Sequence, residues 1–229
     1  MAALVSYRLD DSIATITMDD GKVNVLSPRM LAEINAALDR AEADRAVVVL
    51  SGRPGVFSAG FDLPLLRAGG ADAIAMVRSG FELSERVLSF PMPVVIACTG
   101  HAVAMGVFLL LSGDYRVGAS GPYKYTANEV AIGITMPFAA VEILRQRLAP
   151  AHFNRAVTIA ESFTPDNAVE AGLVDEVVEA CELERTARGV ATAMLSLDMD
   201  AHAASKLRAR AQALDAIRAG IDADFAAAH

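Results

Sequence analysis

Apolar and polar positions along the chain follow two rhythms, and their alternation predicts the elements. Ile13 to Met18 (IATITM) alternates as a strand does, and Asp19-Asp20-Gly21 then marks a turn. Ser27-Pro28 reads as a helix start, with Ser at the N-cap and Pro at the first helical position. Met30, Leu31, Ile34, Ala37, Leu38 and Ala41 follow at helical spacing. Ala46 to Leu50 (AVVVL) and Val94 to Cys98 (VVIAC) are continuous apolar runs, as expected of strands covered on both faces. Between them, Gly52 to Gly60 reads as a Gly/Pro loop and Ala71 to Leu88 as a helix. Met105 to Leu111 reads as a buried helix and Tyr115 to Val117 as a third strand. Ala168 to Gly172 ends a helix, Leu173 to Val178 returns as a strand, and Ala201 to Ala219 forms an Ala-rich terminal helix. On that helix Lys206, Arg208, Arg210 and Arg218 take polar positions. Strand and helix in alternation predict an α/β fold with a mostly parallel sheet.

Phe90 to Gly113 lacks Asp, Glu, Lys and Arg and is long enough to span a bilayer. Pro91, Pro93, Gly100 and Gly106 break it into a buried strand and a buried helix, so a soluble reading is preferred. The chain has 229 residues, 54% apolar and 21% charged, which is globular composition in one or at most two domains. A net charge of −8 disfavours nucleic acid and anionic membrane surfaces as partners. Cys98 and Cys181 form no metal-type or redox motif, and Cys98 reads as a small buried hydrophobe. No metal site and no bound cofactor are expected. Met1 to Tyr7 lacks the features of a leader and the Ala-Ala-Ala-His end is no lipidation or sorting signal, so a cytoplasmic location is the expectation.

In an open α/β sheet, ligands bind beyond the carboxyl ends of the strands. Two small-residue loops lie there. One runs from Gly52 through Phe57-Ser58-Ala59-Gly60-Phe61-Asp62; the other runs from Thr99 through Gly100-His101-Ala102-Val103-Ala104-Met105-Gly106. Such turns can aim free backbone N–H groups at an anion, or their glycines can simply permit tight turns. Taken alone, each loop favours the second reading.

The order of four segments adds a resemblance. Phe57-Ser58-Ala59-Gly60-Phe61-Asp62-Leu63 resembles the F-S-A-G-x-D-L loop of the crotonase (enoyl-CoA hydratase/isomerase) superfamily. Pro91 to Ala97 with Gly100 to Gly106 resembles its second loop. Asn128-Glu129-Val130-Ala131-Ile132-Gly133 resembles its P-E-x-x-x-G segment, and Ala171 to Val178 its A-x-G-L-V-D-E-V-V strand. The resemblance implies a crotonase-like ββα spiral with a C-terminal helical region: a core over residues 1–200, then a helical segment over 201–229 that is shorter than usual for the family. It implies an acyl-CoA thioester as substrate, and a homotrimer or a hexamer built as a dimer of trimers. It places oxyanion donors at the N–H groups of Ala59 and Met105. Substrate contacts would fall on Lys22, Val23, Asn24, Val25, Leu26, Ala59, Phe61, Asp62, Leu63, Met105, Gly106 and Phe108.

The chemistry is coherent. Two fixed donors around a thioester carbonyl stabilise the enolate by about 3 kcal/mol each, leaving a carboxylate only to carry a proton. Family hydratases use two glutamates. Glu129 matches one; Phe108 stands where the other would be. One carboxylate and a drier pocket suit Δ3,Δ2-enoyl-CoA isomerisation, with Glu129 moving a proton between C2 and C4. A hydratase acting in fatty-acid β-oxidation is the runner-up, and an acyl-CoA-binding protein without turnover is the non-enzyme alternative. His101 is expected to bond its turn rather than act as a base, and Asp62 to bond its loop. Glu82 and Glu85 are expected on a solvated face, and Asn128 could orient Glu129 or substrate. Met105 replaces the family's usual Gly, which requires a backbone conformation open to side chains. The lysine-bearing stretch that usually follows in hydratases is not in this sequence. Lys206, Arg208 or Arg210 could contact phosphate in its place, a solvated helix face being the preferred reading.

Overall fold

The computed structural model describes residues 2–226. Met1 and most of the Ala-Ala-Ala-His end lie outside it. The chain winds through repeated strand–strand–helix units. β1 (Val5–Asp10) and β2 (Ile13–Met18) form an antiparallel hairpin, followed by α1 (Pro28–Ala43). β3 (Val47–Ser51) and β4 (Gly55–Ser58) lead to α2 (Leu63–Ala68) and α3 (Gly70–Ser89). β5 (Val94–Cys98) and β6 (Gly100–Val103) lead to α4 (Met105–Leu111). β7 (Tyr115–Ala119) and β8 (Tyr125–Thr126) lead, through a 3-10 turn at Val130–Ile132, to α5 (Phe138–Arg145).

Both strands of the first unit, the first strands of the next three and β9 (Glu176–Val178) form a six-stranded sheet in the order β1-β2-β3-β5-β7-β9. Every pairing beyond the hairpin is parallel. The second strands of the last three units form a smaller parallel sheet, β4-β6-β8. This corrects the expectation of plain loops at Gly52–Gly60 and Thr99–Gly106: each contains a four-residue strand. It also splits Phe90–Gly113 into two strands and a helix, and no helix of the described residues is long and apolar enough to cross a membrane.

α1 follows its sequence pattern. Ser27 Oγ accepts from Met30 N at 3.2 Å, and all six periodic positions are buried. β3 and β5 are apolar throughout because both faces are covered. Val48, Leu50, Val94 and Ile96 face the core under α1, α3 and α4, whereas Val47, Val49 and Val95 pack with Leu183, Ala187 and Ala191 of α8 (Leu183–Met194).

α6 (Pro150–Ile159) and α7 (Pro165–Ala171) connect the last unit to β9. Leu173 and Val174, expected within that strand, lie in the turn before it, with both N–H groups bonded to Ala168 O. α9 (Met199–Phe225) then packs along α3 and α5. Lys206 on this helix is buried, not solvated: its ammonium sits 2.6 Å from Asp114, which also takes Arg210 at 2.9 Å.

Candidate active site

Two glycines let the paired loops meet. Gly60 has φ +87, and a Cβ there would stand 2.9 Å from Val103 O and 3.4 Å from Met105 N. At Gly106 a Cβ would stand 2.4 Å from Ser58 O. Both positions therefore exclude a side chain, because the neighbouring atoms are backbone. The first loop is held by Ser58, whose hydroxyl donates to Asn24 O at 2.8 Å and accepts from Gly60 N at 3.1 Å.

The N–H groups of this loop separate into occupied and free. Ala59 N–H donates to Val23 O at 3.0 Å, so the expected donor is occupied within the protein. Gly60 N–H is held by Ser58. The N–H of Phe61, two residues beyond Ala59, has no acceptor among the described residues. Across from it, Met105 opens α4, where a helix has no internal acceptor for its first N–H groups. Met105 is thus helical, a conformation open to any side chain. The strain falls one residue earlier: Ala104 has φ +50, unusual for a residue with a Cβ.

Beside these loops lies a cavity of about 480 Å³. Ala59, Phe61, Leu63 and Phe108 line it, together with Phe81, Asn128 and Glu129. Its walls are otherwise apolar, apart from Arg67. Among the described residues lining it, Glu129 is the one carboxylate. Glu129 is 8% exposed, and its Oε2 is buried without a hydrogen-bond partner. Burial pushes its carboxyl up to about 7. The 3-10 turn that follows fixes its backbone, with Ile132 N and Ile134 N donating to Glu129 O at 3.1 and 2.9 Å. The Oδ1 of Asn128 is also buried and unpartnered.

Other expected site residues have structural duties. Asn24 is fully buried at φ +52, and its amide donates to Met18 O and Phe57 O at 3.0 and 3.1 Å. It braces the loop from behind and does not line the cavity. Lys22, Val23, Val25 and Leu26 flank the first loop without lining the cavity. Leu26 N donates to Gly60 O at 2.8 Å. Met105 and Gly106 follow the cavity-lining Val103 and Ala104 but do not line the cavity themselves: Met105 is fully buried and Gly106 is closed against Ser58 O.

Asp62 caps α2, its Oδ1 accepting from Leu65 N at 3.1 Å, as expected of a loop-bonding residue. His101 accepts from Lys124 N at 3.0 Å and packs against Tyr123, away from Glu129's cavity. Glu82 and Glu85 pair with Arg78 and Arg218. Lys206 and Arg210 are engaged by Asp114 and cannot serve as free phosphate contacts without breaking that pair. Sequence reasoning missed Phe81, which stacks on Phe108 with ring centres 5.9 Å apart. Its place at helical spacing on α3 gave it only the signature of a core residue.

Known proteins resemble the chain across this whole region. The family model for enoyl-CoA hydratase/isomerase matches residues 8–228. The mouse mitochondrial enoyl-CoA delta isomerase 1 is 33% identical over 200 residues, which cover 85% of this chain and 69% of that protein. The apo structure of an Mtb enoyl-CoA isomerase superposes with a TM-score of 0.95 at 50% identity, covering 99% of both chains. An enoyl-CoA hydratase from Mycobacterium marinum superposes with a TM-score of 0.94 at 51% identity, covering 97% of this chain and 98% of its own. These likenesses extend over the ββα spiral and both loops, and they carry isomerase and hydratase names alike. The chain belongs to the enoyl-CoA hydratase/isomerase family of the crotonase superfamily and is an enzyme of that type.

Proposed function

We propose that the protein is a Δ3,Δ2-enoyl-CoA isomerase in which Glu129 carries one proton from C2 to C4 of the acyl chain. The observation that carries this reading is the solitary carboxylate. Glu129 alone among the described cavity-lining residues can exchange a proton with carbon, and Phe108, at the position where the family resemblance puts the second glutamate of hydratases, lines the same cavity with an apolar ring. The thioester oxygen would sit between the N–H groups of Phe61 and Met105. Glu129 removes the C2 proton of a 3-enoyl thioester, and the electron pair moves onto that oxygen as a dienolate. The two donors stabilise the charge by about 3 kcal/mol each. The same carboxyl then returns its proton at C4, leaving the double bond conjugated with the thioester. No water is consumed, which suits an apolar chamber.

Burial supports the carboxylate's role on both strokes. A base whose acid form and ionised form are both populated near neutrality can take a proton and give it back with little penalty. The lowered strength of the acid has a physical origin in Glu129's apolar surroundings. One observation favours hydration instead: the unpartnered Asn128 Oδ1 could hold a water beside Glu129. Assay of both substrate classes decides between the readings. Conversion of trans-3-enoyl-CoA to trans-2-enoyl-CoA, with little formation of 3-hydroxyacyl-CoA, is expected. Hydration of trans-2-enoyl-CoA with no activity on the 3-enoyl isomer would overturn the isomerase assignment.

A further inference from the structure

We infer that Gly80, which does not line the chamber, sets the length of acyl chain admitted, by giving the Phe61 ring a recess in α3. Gly80 lies inside a 20-residue helix, in ordinary helical conformation. Glycine is the poorest helix former after proline, so local structure gives no reason for it. Its surroundings do. A Cβ at this position would stand 2.4 and 2.5 Å from Cε1 and Cζ of Phe61. The recess is therefore filled by the edge of that ring, with Met105 Cγ at an ordinary contact distance of 3.4 Å as its other neighbour.

That ring has few other places to go. Its backbone is pinned: Leu26 pairs with Phe61, Leu26 N holds Gly60 O, and Asp62 caps the next helix. Phe81 meets it edge-on with ring centres 6.4 Å apart, and Phe81 is itself braced on Phe108. The open side is the chamber, which Phe61 already lines. Carbon atoms settle at about 3.5–4.0 Å, so a methyl group at position 80 would drive the ring roughly 1 Å inward. The conflict is with the far end of a side chain, and α3 itself favours alanine, so the altered protein is expected to fold. The consequence falls on ligand capacity: each methylene left unburied weakens binding about fourfold.

This inference rests on the acyl-CoA reading of the chamber but not on which reaction occurs there. Calorimetric titration with butanoyl-, octanoyl- and dodecanoyl-CoA tests it. For Gly80→Ala, butanoyl-CoA is expected to bind as it does to the unaltered protein, while the two longer ligands bind at least tenfold more weakly. Adding Phe61→Leu, which withdraws the ring, is expected to restore most of the longer ligands' affinity. A Gly80→Ala effect that is absent, or equal at all three lengths, overturns the inference and leaves the isomerase proposal standing. Absence of trans-3-enoyl-CoA isomerisation by the unaltered protein, with the length pattern intact, would remove that proposal alone. If the unaltered protein binds none of the three ligands, the acyl-CoA reading falls and this inference falls with it.

Discussion

Glu129 is an acidic residue held where its charge is disfavoured, and two consequences follow. The first is kinetic. With its carboxyl pushed up to about 7, kcat/KM for isomerisation is expected to rise with pH, tenfold per unit on the acid side, and to level off above about 7. The second concerns stability. Because the folded value lies above the ordinary 4.5, the native state binds more protons than the unfolded state between these limits. Glu129 therefore costs stability progressively as pH rises from 4.5 to 7, by about 3 kcal/mol at most. Glu129→Gln is expected to unfold at higher temperature than the unaltered protein at pH 8 and to lose that advantage near pH 5. Thermal unfolding at the two pH values checks this. The sequence exposed Glu129 through its motif and apolar neighbours. It could not expose which N–H group of the first loop is free. That depends on Val23 O, brought to Ala59 by a turn 36 positions earlier in the chain, as bonded atoms 3.0 Å apart.

Among the elements, legibility tracked length and locality. α1 was readable from Ser27-Pro28 and six periodic apolar positions, and β5 from an unbroken apolar run. The β1–β2 hairpin was only half visible. Its two turn residues, Asp11 and Ser12, take φ +49 and +60, a conformation that Asn-Gly signals far more strongly than Asp-Ser. β4, β6 and β8 have four, four and two residues, too few for periodicity, and they exist because neighbouring units pair. The same small sheet stores strain at Ala104, whose N–H bonds Thr126 O at 2.8 Å while its φ is +50. Ala104→Gly removes the crowding of Cβ and is expected to stabilise the protein by about 1 kcal/mol with Met105 N–H undisturbed. A raised denaturation midpoint with unchanged acyl-CoA affinity would bear this out. Asp62→Ala should act oppositely. Loss of the cap on α2 is expected to cost about 1 kcal/mol and to raise KM more than it lowers kcat, because α2 contributes Leu66 and Arg67 to the chamber wall.

At the scale of the whole molecule, α9 packs back across helices of the second and fourth units of the spiral, α3 and α5. Its long Ala-rich sequence reads as a solvated terminal helix, and the polar pattern hides the burial of Lys206. Polar residues go inside only with partners, and the partner is Asp114, 92 residues away. Asp114→Ala would leave Lys206 and Arg210 facing each other without their counter-charge. A loss of about 3–5 kcal/mol is expected, the magnitude for breaking a buried ion pair from one side. Urea denaturation followed both by far-UV signal and by release of acyl-CoA should show the two transitions moving together, since α9 packs on α3, which also carries the chamber residues Val77 and Phe81. Separate transitions would mean that the helix and the chamber are energetically independent.

The central claim is that one carboxylate moves the proton. Its most direct test compares the unaltered protein with Glu129→Gln in two measurements, turnover of trans-3-enoyl-CoA and affinity for a saturated acyl-CoA. The substitution keeps size and removes the exchangeable carboxyl. Turnover is expected to fall by about 10²–10⁴-fold, the range for loss of a positioned acid–base group, while affinity stays within a few-fold. Turnover that survives the substitution would contradict the claim and remove Glu129 from the reaction.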